Sequence, residues 1–432
     1  MLLAAGGLMD QPMAAAPTEF PNLNSVIANP FPAAPLQTEE QQNEPDEMNV
    51  FQGAGEAAPN PLPQIFRYGP LQLRPHADYS LTYGDGIQYA PGTSQAMMIQ
   101  QLSPGLLANI GTHWALNYTP TFQFYSSDKF HNSVNQSFAL IGGVDYDDWR
   151  FGVSQTAVYS SAPTVATAAQ TDQSGYGTSF TASRPLTSNL TANLGLNQSI
   201  ALVSGFEDTY DWSTLDGVDY QFWPRLTAGI GVGAGYTLVE NNTLVQNSSQ
   251  LGGAENLDQT HEELTAHVNW RATDKISFQI SGGLDDRQFQ TAGSSDSLSP
   301  IFGATIQYQL FKDTQVSLVA ARSTGASDYY LAAQEIETTS VALNLSQQLY
   351  RRFAMGLSVA YATSDYGTAV NAASAGAANR SDDQVSFNAR LSHPFFKRGT
   401  WAVFYQYSSN SSSQGGFSFD SSQTGIDISY SF

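Results

Sequence analysis

The chain has no cysteine, which excludes disulfides, thiolate metal centres and cysteine nucleophiles. Basic residues are scarce: 17 Lys and Arg stand against 38 Asp and Glu, for a formal net charge of −21. Nucleic-acid binding needs a basic footprint, so no nucleic acid is expected as a partner. Only 13% of the 432 residues are charged, about half the usual share for soluble domains. No run of 18 apolar residues occurs, so no spanning helix is expected. Gly, Ser, Thr, Asn, Gln and aromatic residues take the place of charge.

Two regions differ in composition. Residues 1–66 hold ten of the 20 prolines, eight acidic residues and no Lys or Arg. They carry −8, which leaves −13 for residues 67–432. A segment this acidic and Pro-rich cannot bury enough apolar surface to order itself, so it reads as a flexible arm. Its first stretch, Met1 to Met9, resembles the end of a signal-peptide hydrophobic region, and Ala14-Ala15-Ala16 suits cleavage.

From Arg67 onward the chain alternates. Leu264–Trp270, Val385–Ser392 and Ile426–Phe432 switch between apolar and polar at every step. A period of two means a strand with two chemically different faces. Such segments recur about eighteen times, with sixteen the nearest alternative count. The weakest is 208–222, which four aspartates interrupt; Pro104 weakens 95–108. Short turns, as at Asp147-Asp148 and Lys312-Asp313, alternate with longer Ser/Gly/Ala-rich loops at 161–174, 240–259, 290–297, 326–334, 365–382 and 409–417. This is the pattern of an all-β, transmembrane, antiparallel up-and-down β-barrel with short periplasmic turns and longer extracellular loops. Trp114, Trp149, Trp223, Trp270 and Trp401 each lie near a short turn, as one periplasmic aromatic girdle would require. A soluble β-sandwich is the competing reading of the same alternation.

The last strand, with Ile426, Ile428, Tyr430 and Phe432 at alternate positions, resembles the C-terminal signal of bacterial outer-membrane proteins. That resemblance implies the barrel-assembly machinery as a partner. The segments Arg74-Pro75-His76-Ala77-Asp78-Tyr79-Ser80-Leu81-Thr82-Tyr83-Gly84-Asp85-Gly86-Ile87 and Leu102-Ser103-Pro104-Gly105-Leu106 resemble the outer-membrane β-barrel porin family often encoded beside exopolysaccharide-export genes. The resemblance spans about residues 70–432. Where the family has an Asp-Asn pair, this chain has Asp85-Gly86. The resemblance implies a bacterial outer-membrane location, with outer-membrane lipid and lipopolysaccharide as surroundings.

Chemistry-bearing motifs are few. The alternating glycines Gly229, Gly231, Gly233 and Gly235 lie inside one strand, where they make a thin inward wall rather than a phosphate loop. His261 and His267 share a strand face about 20 Å apart and cannot share a metal. No catalytic, cofactor or metal site is expected, and no cofactor. Eighteen strands spaced by about 4.8 Å and tilted by about 40° close to a backbone diameter of about 36 Å, too wide for side chains to fill. An aqueous lumen follows. Parity places Glu263, Asp285, Arg287, Arg390 and Asp427 inward. The 240–259 loop, with Glu240, Glu255 and Asp258, is the candidate constriction. Acidic groups in a confined pore attract cations; the competing reading puts these carboxylates on the cell surface with divalent ions and lipopolysaccharide. Nine of the 17 basic residues, among them Arg351, Arg352, Lys397 and Arg398, lie at or beside short turns, as headgroup anchors or as solvated turn residues.

The leading expectation is a porin-like channel for passive diffusion of small polar solutes or ions, mildly cation-preferring. The second is a structural component of an exopolysaccharide export system whose N-terminal arm contacts a periplasmic partner. A homo-oligomer is compatible with a barrel of this size, although no residue argues for one.

Overall fold

The computed structural model describes residues 66–164, 167–240, 258–290, 296–326, 335–350, 352–367, 380–396 and 398–431. The N-terminal arm, Glu255 and Phe432 lie outside the described residues.

A two-residue strand, β1 (Arg67–Tyr68), pairs with the start of β2. The wall of the barrel is β2 (Leu71–Ala90), β3 (Thr93–Ile110), β4 (Trp114–Tyr125), β5 (Ser133–Tyr146), β6 (Trp149–Thr164), β7 (Ala169–Pro185), β8 (Leu190–Val203), β9 (Asp208–Trp223), β10 (Leu226–Glu240), β11 (Gln259–Trp270), β12 (Ile276–Phe289), β13 (Ser297–Phe311), β14 (Thr314–Ala326), β15 (Glu335–Leu349), β16 (Phe353–Gly367), β17 (Arg380–Phe395), β18 (Gly399–Ser412) and β19 (Phe419–Ser431). Each strand from β2 to β19 is antiparallel to its neighbours in sequence, and β19 pairs back with β2 through Ile426↔Leu81 and Ile428↔Tyr79. Eighteen strands therefore close without a free edge, which is what a lipid environment demands of backbone hydrogen bonds.

The alternation of the sequence becomes an alternation of faces. On β10, Ile230 and Val232 are 61% and 59% exposed on the outer wall, whereas Thr237 on the other parity is buried. Leu264 and Val268 on β11, Val341 and Leu343 on β15, and Ile426 and Ile428 on β19 continue the exposed apolar belt. In water such a belt would be a large aggregation surface; in a bilayer it is the surface that binds acyl chains. The soluble-sandwich reading fails here, because the apolar face is the outer one.

The interrupted segments still form strands. β9 is continuous through its aspartates: Asp211 and Asp219 point inward to partners described below, and Asp216 accepts a 3.3 Å bond from the Gly195 N–H where the β8–β9 ladder is interrupted between Asn193↔Gly217 and Leu196↔Thr214. At Pro104 the β3–β4 ladder breaks between Leu102↔Phe122 and Leu106↔Tyr118, as a residue without an N–H requires, while pairing to β2 continues through Ala77↔Pro104. Gly86 has φ +75°, and a Cβ there would meet the Asp420 carbonyl oxygen at 1.9 Å, so glycine is needed at that place in the β2–β3 hairpin.

The connections at the end where β2 begins and β19 ends are all short, and at the opposite end the Pro91-Gly92 turn between β2 and β3 is short as well. Two of those at the first end are Asp147-Asp148 between β5 and β6, and Lys312-Asp313 between β13 and β14. The opposite end differs from a set of irregular loops. Segment 161–174 is mostly strand, because β6 runs to Thr164 and β7 starts at Ala169; likewise β18 runs to Ser412. Trp114, Trp149 and Trp270 start or end their strands at the short-turn end, and Trp401 stands two residues into β18. All four are on the outward parity. Trp223 sits at the turn, past a register shift between Leu226 and Thr227, and is 65% exposed.

Candidate functional site: the lumen and its mouth

The inner face is built from strand parity, and its geometry begins with the glycines of β10. A Cβ at Gly229 would lie 2.0 Å from Asp219 Oδ1 and 2.6 Å from the His267 ring; one at Gly235 would lie 2.2 Å from His261 Nε2. The bare strand lets side chains of β9 and β11 meet across it. His267 Nε2 stands 2.8 Å from Asp219 Oδ1, and Asn193 on β8 donates to Asp219 Oδ2 at 2.8 Å. Nearer the long-loop end, His261 Nδ1 is 3.8 Å from Asp211, whose Oδ2 also accepts from the Thr237 hydroxyl at 2.7 Å.

The next wall carries the formal charge. Arg287 is buried and donates twice to Asp285 Oδ2, at 2.9 and 3.1 Å, once to Gln259 Oε1 at 3.0 Å and once to the Thr324 carbonyl at 3.0 Å. Glu263 faces Asp285 directly across the β11–β12 ladder and has no ion pair among the described residues. Above Phe302↔Arg322 the β13–β14 ladder ends. From there the upper part of β14–β15 leans over the inner face of β12–β13. Ser297 donates to Glu335 at 3.3 Å and Ser299 to Glu337 at 2.5 Å, although Ser297 and Ser299 share their face with inward Arg287 and Asp285. Arg322 bonds Glu337 Oε2 at 2.7 Å and the Pro300 carbonyl at 3.1 Å. This wall thus brings together the carboxylates Glu263, Asp285, Glu335 and Glu337 with the guanidiniums Arg287 and Arg322. Parity alone puts Glu335 and Glu337 outside with Val341 and Leu343. Only the inward lean brings them to the lumen, so sequence reasoning missed them.

Arg390 on β17 is bonded to Asp427 on β19, passing over β18, and both are buried. Arg380 was not singled out from sequence. Its side chain is fully buried at the mouth, with Nη2 2.5 Å from Asp382 Oδ2 and its guanidinium carbon 3.9 Å from the Phe417 ring centre and 4.8 Å from that of Tyr366.

The residues chosen for the constriction are placed differently from one another. Glu240 ends β10 on the outward parity and is exposed. Asp258 is buried and holds the top of β10, accepting from the Tyr236 hydroxyl at 2.7 Å and the Val239 N–H at 3.0 Å. Glu255 and most of the 240–259 loop lie outside the described residues. A further described segment that enters the lumen is the tip of the β6–β7 hairpin. Ser161, Ala162, Thr164, Thr167, Ala168 and Thr171 are all buried, with the Thr167 hydroxyl 2.7 and 2.8 Å from those of Thr164 and Thr171. β6 and β7 approach β2, which lies four and five strands away around the wall, so the contact runs through the interior. Beside it, Ile87, Met97, Ile99 and Phe130 form a small buried apolar cluster with Tyr89 and Tyr125 packed on it. The sequence signal, a run of small residues and threonines, reads as loop; that its two arms keep pairing is a property of the closed wall.

No protein-family model matches the chain, and no curated protein does. Among solved structures, the chain is similar in fold to OccAB3 of Acinetobacter baumannii (TM-score 0.44, 9% identity, covering 83% of this chain and 99% of that one). It is also similar to OpdO of Pseudomonas aeruginosa (TM-score 0.44, 12% identity, 85% and 99% covered). A third is the siderophore receptor PirA of Pseudomonas aeruginosa (TM-score 0.43, 9% identity, 83% and 80% covered).

Proposed function

We propose that the chain is an outer-membrane, porin-like channel for passive diffusion of small polar solutes or ions, with a mild preference for cations. The observation that carries the reading is a closed eighteen-strand wall with an apolar outside and a polar inside. Its circumference is too large for side chains to fill, so water occupies the remainder. Cation preference rests on the β11–β15 wall, where Arg287 and Arg322 leave two of the four carboxylates uncompensated. A net negative field in a confined aqueous path concentrates cations and repels anions.

The reading is tested by single-channel conductance of the refolded chain in a planar bilayer under a salt gradient. Large steps with a cation-biased reversal potential are expected. A heat-modifiable, folded barrel that never conducts would overturn it. The second reading, a component of an exopolysaccharide export system, draws on the acidic, Pro-rich arm and the family resemblance. Deleting residues 17–66 separates the two: export fails and passive permeability survives only under the second.

A further inference from the structure

Two neighbouring turns at the short-turn end share one pattern. The β15–β16 connection reads Tyr350-Arg351-Arg352 and the β17–β18 connection Phe396-Lys397-Arg398: an aromatic residue, then two basic ones. Arg351 and Lys397 lie outside the described residues. Tyr350 and Phe396 are 91% and 90% exposed, and both take the left-handed conformation, with φ +50° and +52°. Bulky side chains rarely adopt it, whereas Gly, Asn or Asp do so at small cost. Asp147 fills the same conformation in the β5–β6 turn. An aromatic ring held there, exposed, points to a use for the ring outside the fold itself.

The charge of this sector is also unbalanced. Elsewhere on the rim Arg150, Arg184 and Arg225 pair with Asp145, Asp148 and Asp274 at 3.3, 3.7 and 2.7 Å. Residues 349–353 and 395–400 contain four basic residues and no acidic one. Arg352 and Arg398 are exposed and have no ion pair among the described residues. Next to the turns, Phe353, His393 and Trp401 form an outward row across β16, β17 and β18, with ring centroids 4.5 and 5.9 Å apart. That row belongs to the aromatic girdle at the headgroup level. Tyr350 and Phe396 stand three residues past it along the chain, away from the middle of the wall.

The chain supplies an occupant of matching chemistry. Glu39, Glu40, Glu44, Asp46 and Glu47 fall within nine residues, and Met48, Val50 and Phe51 follow. β1 pairs with the first residues of β2, so residues 1–66 are attached at this same end. β2 pairs with β19, and the Ser431 N–H donates to the Arg398 carbonyl at 3.0 Å, which puts the β17–β18 turn close to that attachment. At about 6 Å of circumference per tilted strand, the two turns lie about 16 and 28 Å along the rim from β2. Glu47 precedes Arg67 by twenty residues, and a flexible chain of that length spans about 25 Å. The lumen would repel the same segment, because its β11–β15 wall has surplus carboxylates. We propose that segment 39–51 of this chain's own arm docks on the Tyr350/Arg352 and Phe396/Arg398 turns, its carboxylates on the guanidiniums and Met48, Val50 and Phe51 on the rings. Exposed ion pairs are weak, but tethering gives the segment an effective concentration in the millimolar range.

The full chain is refolded in zwitterionic micelles, with heat-modifiability reporting a folded barrel. Because the chain has no cysteine, Asn43→Cys carries a single benzophenone photo-crosslinker. Crosslinks are expected on the 349–353 and 395–400 peptides at low salt, fading at 1 M NaCl, where the Debye length falls to about 3 Å. Cleavage of the arm by a Glu-specific protease is expected to speed up by about threefold to tenfold in Arg352→Gln/Arg398→Gln, the combined effect of two exposed ion pairs. Tyr350→Asn/Phe396→Asn, which suits the turns and removes the rings, is expected to speed it as well. Arg271→Gln/Lys275→Gln takes the same charge from the β11–β12 turn and is expected to leave the rate unchanged. If a rim variant does not refold, the crosslink map of the otherwise unaltered chain decides. Crosslinks confined to other peptides, unchanged cleavage in the rim variants, or equal acceleration by Arg271→Gln/Lys275→Gln would overturn the docking. Crosslinks present in micelles and abolished in bilayers containing phosphatidylglycerol would assign the two turns to lipid headgroups and overturn it too.

Discussion

Arg287→Met is the substitution that most directly joins the structure to ion flow. In the wild-type chain, Arg287 and Asp285 have side chains each 8% exposed and cancel one another at 2.9 Å. Methionine keeps much of the stem volume and removes the charge, so Asp285 loses its counter-ion and Glu263, across the ladder, gains a like-charged neighbour without compensation. Removing one partner of a buried pair costs about 3–5 kcal/mol, and lumen water puts this case at the lower end. The electrical effect is separable. One added negative charge acts on an ion about 6 Å away in water with about 0.7 kcal/mol, and screening at 0.1 M salt roughly halves it. Because cations gain what anions lose, the cation-to-anion permeability ratio rises about threefold. The assay is the reversal potential across a bilayer under a KCl gradient. Adding Asp285→Asn to Arg287→Met is expected to return the ratio toward wild type and to recover part of the lost stability. An unchanged reversal potential in the single variant would refute the reasoning, since it would place this wall away from the conducting path.

Other outcomes follow from the same geometry. Replacing the β6–β7 tip, residues 162–170, by a two-residue turn is expected to raise single-channel conductance; an unchanged value would show that the tip does not narrow the path. Gly142→Ala brings a Cβ to 2.1 Å from the Trp114 ring, so the indole must leave the strand surface, at about 1–3 kcal/mol. A shifted tryptophan emission and a lower temperature for loss of the heat-modifiable form would register this. Tryptophan emission of the wild-type chain in bilayers is expected to be quenched most by lipids brominated near the headgroup and least by those brominated at the chain end, because five of the six tryptophans lie at one rim and Trp212 stands toward the other. Deleting Phe432 is expected to lower the amount assembled in the outer membrane of cells while refolding from urea into detergent proceeds, as a recognition signal rather than a packing role implies; equal loss in both would argue for packing.

Sequence alone determined the wall. Because the side-chain period of a strand is two and only a closed sheet satisfies backbone groups in lipid, alternation plus short and long connections pointed to an antiparallel barrel of about eighteen strands and to part of its inward set. Glu263, Asp285, Arg287, Arg390 and Asp427 were therefore legible by parity, and so was the thin β10. Tertiary structure decided which inward groups meet. His267 reaches Asp219 over the bare Gly229, and Arg390 reaches Asp427 over β18; both pairs join strands that are not neighbours, which no local pattern records. It also decided what bends into the lumen. The β6–β7 tip and the upper β14–β15 ladder leave the cylinder, and once a strand leaves it, parity no longer distinguishes inside from outside. That is why Glu335 and Glu337 had no signature in the chain.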